Sequence, residues 1–438
     1  MHKKKILENI LRMMARMVLW RHRPLIVSIT GSVGKSSTKE AVALVLSRNY
    51  SVRKAEGNYN NEIGIPLTLI GVRSGGGSYL SWMRVFVQWL WVVIFSVRYP
   101  EIVVLEMGID RPGDMEYLTS FIPVSIGVVT HISSSHIEFF GSLGAIAKEK
   151  GKLLGSLPEN GFAILNADDG LVVKMRDKTR AKVITYGFGE GASLRVDNVL
   201  FHRDAKHVEG FSFKINYAGK TLPMRLPNIV AEHHIGAALA AAAVGIACKM
   251  NLIEIVSALE TFAPLPGRLC LLPGKNGMIL LDDTYNASPA STRAALSVVH
   301  ALIAPRKIVI LGDMLELGAN TREDHRALVE PILASGAHMV ITVGQHMRAL
   351  YEALLATHFS YKQVLWFPNS LTAIPAIEHS VRQEDLILIK GSQGMRMEKI
   401  TETLLADPHR ATTLLCRQSS VWRAKPFIPP AEWDTIRG

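Results

Sequence analysis

Residues 26–37 read Ile-Val-Ser-Ile-Thr-Gly-Ser-Val-Gly-Lys-Ser-Ser, a short apolar strand that runs into a glycine-bearing turn. A turn of this kind aims backbone N–H groups at phosphate oxygens, and the helix that follows presents its positive end to the same anion. Lys35 would reach the terminal phosphates, and the Ser36 hydroxyl would hold Mg²⁺. The loop residues that we expect to bind a nucleotide are Gly31, Ser32, Gly34, Lys35, Ser36 and Ser37.

The loop departs from the strict phosphate-binding pattern at one position. That pattern has a Gly five residues before Gly34, where this chain has Ile29. An ordinary strand–turn–helix is therefore the alternative interpretation. The apolar run before the turn and the helix-like residues 39–46 after it favour the nucleotide loop.

Length and charge narrow the class of protein. A chain of 438 residues is too long for one ordinary core, so we expect two or three domains. With 48% hydrophobic and 20% charged residues it is globular rather than disordered. The net charge of +11 favours anionic partners such as nucleotides, acidic lipid surfaces or acidic substrates. Because the sequence has no basic stripe interleaved with aromatic residues, we do not expect nucleic acid as a partner.

Cysteine usage points to a reducing compartment. The three cysteines, at positions 248, 270 and 416, have no CxxC spacing, which excludes a zinc ribbon and argues against a disulfide framework. Residues 6–20 are interrupted by Glu8, Arg12 and Arg16, so we expect no cleavable signal peptide. The predicted localisation is cytoplasmic.

Two segments predict helices with large apolar faces. Residues 6–23 read as a basic amphipathic helix that ends before Pro24. A helix that caps the core and a helix that attaches to an anionic membrane surface are both open interpretations. Residues 79–98 form the most apolar run, but Arg84 and Gln88 interrupt it.

The apolar run is too short to cross a bilayer. Its uninterrupted part is residues 89–95, whereas a spanning helix needs roughly 20 mostly apolar residues. We expect a helix that lies in the membrane interface, with Trp82, Trp89 and Trp91 as anchors. A buried helix is the alternative. Contact through residues 6–23 and 79–98 would place the protein at the inner face of the membrane.

Two further strands end in groups that suit metal chemistry. Residues 101–106 form a buried, parallel-type strand that ends at Glu106, and residues 124–130 form another strand, followed by His131 and His136. Open α/β sheets bind ligands at the carboxyl ends of their strands. We therefore expect Glu106 and His136 beside the phosphate loop if these strands neighbour the first one.

The remainder of the chain predicts a second α/β unit. Strand patterns near residues 278–281, 307–311, 339–343 and 386–389 alternate with helical patterns, and parallel pairing is expected. The predicted organisation is an N-terminal helix (1–23), a central domain (24–264), a C-terminal domain (265–406) and a basic, loosely ordered tail (407–438).

Nine motifs, in order along residues 26–405, resemble the Mur ligase family of ATP-dependent amide ligases. The resemblance is strongest to the branch that adds D-alanyl-D-alanine in peptidoglycan precursor synthesis. The matching motifs are TGSVGKSS (30–37), GNYNNEIGIP (57–66), LEMG (105–108), HIEFFGSL (136–143), NADD (166–169), PGR (266–268), DDTYNA (282–287), GDMLELG (312–318, with His325 after it) and KGSQGMRMEK (390–399).

The resemblance implies the fold class and a site. The fold is α/β, a central P-loop Mur-ligase-type ATP-binding domain followed by a C-terminal Rossmann-like α/β domain. Besides the loop, the implied nucleotide contacts are Asn166, Asp169, Arg268, Asp283, Tyr285 and Asn286. The implied metal ligands are Ser36, Glu106, His136 and Lys150, and the implied substrate contacts are Asn60, Asn61 and Arg396. The implied catalytic set is Lys35, His136, Lys150 and Arg268.

Lys150 matches the lysine that the family often carbamylates. On sequence alone, a solvated helix lysine in the charge run 148–150 is the stronger interpretation. The chemistry gives the modification a purpose, because a carbamate turns a cation into an anion that can hold Mg²⁺.

The implied reaction is acyl activation with ATP and Mg²⁺. A carboxylate of a muropeptide-like acceptor attacks the γ-phosphoryl group, and the amine of an amino acid or dipeptide then displaces phosphate from the acyl phosphate. Two Mg²⁺ ions with Lys35 and Arg268 would offset the repulsion between the two anions.

The chain departs from its branch at the N-terminal end. Members of the branch begin with a domain that binds the uridine nucleotide of the acceptor, whereas about two dozen residues precede the first strand here. We therefore expect this domain to be lacking and the acceptor to be held at, or delivered from, a membrane surface. The alternatives are a ligase for another acceptor, of polyglutamate or lipid-linked type, and a membrane-associated nucleotide-binding scaffold.

Overall fold

The computed structural model describes residues 2–57, 59–76, 78–95, 98–133, 137–203 and 208–425. These residues form two compact units. The first unit takes its described residues from Met1–Leu200, Ser212–Leu226 and Glu232–Phe262, and the second from Phe201–Phe211, Pro227–Ala231 and Ala263–Gly438.

A nine-stranded sheet with the order β2-β3-β1-β4-β5-β6-β7-β8-β9 organises the first unit. Its elements are α1 His2–His22, β1 Leu25–Thr30, α2 Lys35–Leu46, β2 Val52–Lys54, α3 Gly64–Ile70, α4 Tyr79–Ile94, β3 Ile102–Glu106, α5 Asp114–Thr119, β4 Ile126–Val129, α6 Ile137–Phe140, α7 Leu143–Gly155, β5 Phe162–Asn166, α8 Gly170–Val173, β6 Lys182–Gly187, β7 Leu194–Arg203, β8 Val208–Tyr217, β9 Lys220–Leu226, α9 His233–Ala247 and α10 Leu252–Leu259.

The order of the central strands places the phosphate loop. β1 is apolar and almost entirely buried, as expected of a strand covered on both faces. It pairs in parallel with β3 on one side and β4 on the other, so that Ile29 lies opposite both Glu106 and Val128. The carboxyl ends of β1, β3 and β4 therefore share one edge of the sheet, which confirms the predicted neighbours of the loop.

Small residues let α9 pack closely against α2. The run of alanines in α9 is buried, from Ala237 to Ala243. A Cβ added at Gly245 would lie within about 3 Å of Ile255 and Val45 side-chain atoms, so larger residues would force the helices apart. This packing supports α2, the helix whose first residues bear the loop chemistry.

The predicted helices at residues 6–23 and 79–98 are α1 and α4, and each is buried on one face only. Leu11, Met14 and Val18 of α1 pack with Val85 and Trp89 of α4 in one cluster that also contains residues of α3. The opposite faces are exposed. Within the part of the chain that the structure describes, none of the helices has both the length and the apolar content that crossing a membrane requires.

The second unit is built on a six-stranded sheet with the order β10-β11-β15-β12-β13-β14. Only β10 runs antiparallel to its neighbour. The elements are β10 Cys270–Pro273, β11 Ile279–Asp283, α11 Pro289–Ala301, β12 Lys307–Gly312, α12 Thr321–Arg326, α13 Val329–Ala334, β13 Met339–Val343, α14 Arg348–Leu355, β14 Val364–Phe367, α15 Ser370–Ser380, β15 Leu386–Lys390, α16 Glu398–Leu404, α17 Ala411–Leu414 and α18 Ser420–Ala424. The two parallel-rich sheets confirm the predicted α/β fold class.

Residues 407–425 differ from the loosely ordered tail that the composition predicts. They form α17 and α18, and Ala411, Leu415 and Arg417 are buried in the second unit. Arg417 donates to Oε2 of Glu398 at 3.1 Å, and this buried ion pair holds the segment in place. Residues 426–438 lie outside the described part of the chain.

Candidate active site

Two glycines give the loop after β1 its shape. Gly31 has φ 148° and Gly34 has φ 86°, both in the region that favours glycine. A Cβ on Gly31 would lie 2.0 Å from Oγ1 of Thr130, so no larger residue fits. Oγ1 of Thr130 in turn donates to the carbonyl of Val33 at 2.6 Å, which ties the loop to the end of β4.

Lys35 folds back over the loop. Its Nζ donates to the carbonyl of Gly31 at 2.8 Å and to that of Ser32 at 3.4 Å. Ser32 is held from the other side, because its N–H donates to the His131 carbonyl at 2.6 Å and its hydroxyl donates to the Ser133 carbonyl at 3.1 Å. A half-buried ammonium group thus lies at the mouth of the glycine turn, and its contact with terminal phosphates stays a prediction.

Oxygen ligands meet where α2 begins and β3 ends. The Ser36 hydroxyl donates to Oε2 of Glu106 at 2.9 Å, and the side-chain amide of Asn60 donates to Oε1 at 3.3 Å. Glu106 is buried, yet both of its oxygens face polar groups. Mg²⁺ prefers oxygen ligands of this kind and is usually held by one or two carboxylates together with phosphates. Ser36 and Glu106 therefore fit a Mg²⁺ ion.

Asn60 and Asn61 stand side by side but do different things. Asn60 faces Glu106, and its carbonyl accepts from the Gly108 N–H at 2.9 Å. Oδ1 of Asn61 accepts from the Gly64 N–H at 2.9 Å at the start of α3. Only Asn60 is thus brought to the predicted metal ligands by a side-chain contact, and the substrate role of both remains a prediction.

Lys150 is buried on α7, with only 3% of its surface exposed. Burial, together with the nearby positive charge of Lys35, lowers the pKa of its amine to about 7, although Asp110, Glu106 and Glu149 oppose the shift. An amine with this pKa is largely neutral slightly above pH 7. The solvated-lysine interpretation that the sequence favours is wrong, and the reason is tertiary burial.

Asn166 ends β5, and Asp169 follows it at the same edge of the sheet. Oδ2 of Asp169 lies 2.8 Å from Nδ1 of His131 and accepts from the Ile132 N–H at 2.8 Å. Its Oδ1 accepts from the first N–H groups of α8. Asp169 therefore positions the segment after β4, a role that sequence reasoning missed, although His131 was noted at a strand end. Asn166 accepts from the Asp168 N–H at 3.0 Å.

The predicted metal ligand His136 lies outside the described residues, so its role stays a prediction. Among the residues that the structure does describe, no group of three His, Cys, Asp or Glu side chains could hold a metal ion by itself. The candidate Mg²⁺ site thus consists of Ser36 and Glu106, with Lys150 coupled to it electrostatically.

In the second unit, Arg268 stacks on Tyr285. The guanidinium carbon lies 4.2 Å from the ring centroid, a favourable cation–π geometry. Gly267 (φ 77°) allows this close approach, because a Cβ at that position would lie 2.9 Å from the backbone nitrogen of Tyr285. The Tyr285 N–H also donates to the Gly267 carbonyl at 2.9 Å. Two predicted nucleotide contacts are thereby brought together.

Asp283 and Asn286 meet at a buried lysine that the sequence analysis did not assign. Nζ of Lys390 donates to Oδ2 of Asp283 at 2.6 Å and to the carbonyl of Asn286 at 2.9 Å. The signal was available, because Lys390 opens the last of the nine motifs. Lys390 fixes the loop after β11 through its ion pair.

Arg396, the predicted contact for the amino substrate, is 4% exposed. Its Nε donates to Oε1 of Glu398 at 2.6 Å, and another guanidinium nitrogen donates to the Lys425 carbonyl at 2.9 Å. The side chain is therefore engaged within the second unit, and its substrate role remains a prediction.

Comparison with known proteins finds relatives that match most of this chain. The model of the Mur ligase middle domain matches residues 29–81 and 93–245, and that of the Mur ligase, glutamate ligase domain, matches residues 267–393. The UDP-N-acetylmuramoyl-tripeptide–D-alanyl-D-alanine ligase of Escherichia coli (strain K12) is 30% identical over 382 residues, covering 86% of this chain and 76% of that protein.

Two further comparisons agree with these matches. The ligase of the same name from Bacillus subtilis (strain 168) is 29% identical over 384 residues, covering 87% of this chain and 76% of that protein. The crystal structure of the MurF ligase of Thermotoga maritima in complex with ADP has a TM-score of 0.72 at 23% identity, covering 90% of this chain and 83% of that chain. The latter likeness shows the fold.

Proposed function

The chain belongs to the Mur ligase family, and on this premise we propose that it joins the carboxylate of a muropeptide acceptor to D-alanyl-D-alanine, with conversion of ATP to ADP and phosphate. The observation that carries the proposal is the arrangement of Lys35, Ser36 and Glu106 around the glycine turn. A phosphate cradle with a cation and a carboxylate–hydroxyl pair suits phosphoryl transfer.

The chemistry is an exchange of two bonds. An oxygen of the acceptor carboxylate bonds to the γ-phosphorus as the bond to the ADP oxygen breaks, which gives an acyl phosphate. The amine nitrogen of the dipeptide then bonds to the acyl carbon, phosphate leaves and a proton is released. Charge stabilisation of the transferring group is the main demand on the protein.

Each loop residue has a role in meeting that demand. The ammonium group of Lys35 would exchange its contact with the Gly31 carbonyl for the terminal phosphates, and the backbone of residues 31–34 would hold them. Ser36 and Glu106 would bind Mg²⁺, which when bound neutralises phosphate charge. In the second unit, Arg268, Asp283, Tyr285 and Asn286 are proposed nucleotide contacts, as Asn166 and Asp169 are in the first.

We propose carbamylation for Lys150. Its depressed pKa leaves a neutral amine whose lone pair can attack the carbon of CO₂, forming an N–C bond and releasing a proton. The product is an anion in a region where Glu106 already provides a carboxylate. The modification would therefore place a negative charge near the ammonium group of Lys35, which attracts it.

The acceptor loop and Arg396 complete the proposal. Asn60 lies against Glu106 and would orient the acceptor carboxylate toward the metal, with Asn61 fixing the loop at α3. Arg396 would contact the amino substrate by exchanging its contact with the Lys425 carbonyl. The proposed setting is the cytoplasm, at the inner face of the membrane.

ADP release tests the proposal. We expect release that depends on both UDP-muramoyl-tripeptide and D-alanyl-D-alanine. Release only with a glutamate chain or only with a lipid-linked acceptor would instead indicate a ligase for another acceptor. ATP binding without release under any of these conditions would indicate a nucleotide-binding scaffold and overturn the proposal.

A further inference from the structure

Helices α1 and α4 expose an unusual amount of apolar surface. Together with Phe95, the residue after α4, they carry more than half of the large apolar side chains that are exposed in the described residues. We call this set the α1/α4 face; it consists of Ile6, Ile10, Met13, Met17 and Trp20 of α1, and Tyr79, Leu80, Met83, Phe86, Val87, Trp91, Ile94 and Phe95 at α4. Such a concentration marks an interaction surface.

The two helices behind this face pack against each other and against the rest of the first unit. The inner sides of the two helices share a cluster in which Trp89 donates from Nε1 to the Met14 carbonyl at 3.0 Å. His22 at the end of α1 lies 2.8 Å from the Val92 carbonyl and stacks on Tyr99 at 4.4 Å. Because both helices are fixed on their inner sides, their outer sides stay exposed together.

The charged side chains that α1 and α4 themselves carry are almost all basic. The described parts of α1 and α4 carry one acidic residue, Glu8, and the basic residues Lys5, Arg12, Arg16, Arg21 and Arg84. A groove of about 410 Å³ on α1 is lined by both apolar and basic side chains. It is lined by Asn9, Arg12, Met13, Arg16, Met17 and Trp20.

We propose that the α1/α4 face binds the surface of an anionic lipid bilayer. The apolar side chains would enter the acyl boundary, with Trp20 and Trp91 at headgroup depth, while Arg16 and Arg84 bind lipid phosphates. A second copy of the chain fits less well, because two such faces would bring like charges together. The helices lie along the interface, since neither can cross it.

The binding would bring the acceptor loop to the membrane. Tyr59, which precedes Asn60 in that loop, packs against the same cluster that supports α1 and α4. Its hydroxyl accepts from the Ser74 N–H at 2.8 Å. This step rests on the proposed function, whereas the binding itself does not: a bilayer-bound enzyme would hold Asn60 and Glu106, which are proposed to receive the acceptor, close to the bilayer surface.

Vesicle co-sedimentation of the full chain tests the binding. We expect the protein to sediment with vesicles of phosphatidylcholine and phosphatidylglycerol and much less with phosphatidylcholine alone. Phe86→Gln with Trp91→Gln should lower the partition coefficient at least about ten-fold. Arg16→Gln with Arg84→Gln should lower it about five-fold per cation on anionic vesicles only.

A matched control distinguishes binding through this surface from non-specific hydrophobic binding to vesicles. Ile253→Gln removes an apolar side chain that is 64% exposed elsewhere on the first unit, and it should bind as the wild type does. Circular dichroism and ADP release should be unchanged in every variant, because none touches the catalytic residues. Wild-type protein that stays in the supernatant, or face variants that sediment fully, would overturn the proposal. The proposal would also be overturned if light scattering showed that the wild type is a dimer and that the face variants are monomers.

Discussion

The Ser36 hydroxyl lies 2.9 Å from Oε2 of Glu106 and donates a hydrogen bond to it, joining the first turn of α2 to the last residue of β3. Glu106 is paired with Ile29 in the parallel register of β1 and β3. The contact is thus set by the sheet rather than by a loop. A carboxylate positioned this way needs no rearrangement to receive a cation beside a phosphate.

Lys35→Ala should abolish turnover. The ammonium group is the charge of the loop nearest the predicted terminal phosphates, and loss of such a charge from a phosphoryl-transfer site typically costs roughly 10³–10⁵ in rate. ADP release with both substrates measures it. Lys54→Ala, which removes a lysine 47% exposed in the same unit, should leave the rate unchanged. Near-normal release by Lys35→Ala would refute the loop assignment.

Glu106→Gln should raise the Mg²⁺ concentration needed for activity. Glutamine keeps the size of the side chain and can still accept from Ser36, but it lacks the negative charge that Mg²⁺ prefers. We expect the half-maximal Mg²⁺ concentration to rise at least about ten-fold. Glu116→Gln, at an exposed carboxylate paired with Lys152, is the control and should titrate like the wild type. Superimposable titrations of the two variants would rule out Glu106 as a ligand.

The phosphate loop and its neighbours could be predicted from sequence because their signals are local. β1 and β3 are continuous apolar runs that end at a glycine turn and a carboxylate. In parallel sheets, ligands bind at the carboxyl ends of the strands, so the ends of these two strands mark the expected site. β14 is different: Val364–Phe367 is four residues long and mostly half-buried, so its apolar run is too short to stand out.

Long-range contacts explain what the sequence could not predict. Arg417 belongs to a basic segment that the composition predicts to be loosely ordered, and only the fold brings it to Glu398, which also binds Arg396. Lys150 likewise lies in a charge run, yet it is buried. Neither partner choice nor burial can be read from spacing along the chain.

Replacing Lys150 should change how stability depends on pH. Between the folded pKa of about 7 and the ordinary value of 10.5, the unfolded chain holds a proton that the folded chain does not. Wild-type stability therefore gains up to about 1.4 kcal/mol per pH unit in that window from this group. In CO₂-free buffer, the Tm of Lys150→Met should be higher than that of the wild type. The difference between the two Tm values should be largest near pH 7 and should shrink toward pH 10.

Two comparisons make the Lys150 prediction decisive. Lys148→Met, at an exposed lysine on the same helix, should follow the wild-type pH curve. Bicarbonate at pH 8 should raise the Tm of the wild type but not of Lys150→Met, since only the former can be carbamylated there. Parallel pH curves for wild type and Lys150→Met would contradict a neutral buried amine, and an equal bicarbonate response would contradict the carbamate.

Asp282→Asn should stabilise the second unit at high pH. Oδ1 of Asp282 accepts from Thr284 at 2.8 Å and from Thr401 at 3.0 Å, while Oδ2 has no hydrogen-bond partner within the described residues. Burial raises the pKa of this carboxyl to about 7 from 3.8. Between these values the folded chain holds a proton that the unfolded chain has released, so stability falls as pH rises through the window.

An asparagine at position 282 keeps one acceptor and cannot ionise, so it removes this slope. Between pH 5 and pH 8, the Tm of the variant should rise by several degrees relative to that of the wild type. One pKa unit corresponds to about 1.4 kcal/mol, and each kcal/mol of stability shifts Tm by about 2–4 °C. Scanning calorimetry measures the difference. Glu352→Gln, at a carboxylate 53% exposed in the same unit, should show no such gain. A Tm difference that stays constant from pH 5 to pH 8 would instead mean that Asp282 is already ionised in the folded protein, with its two threonine donors stabilising the charge.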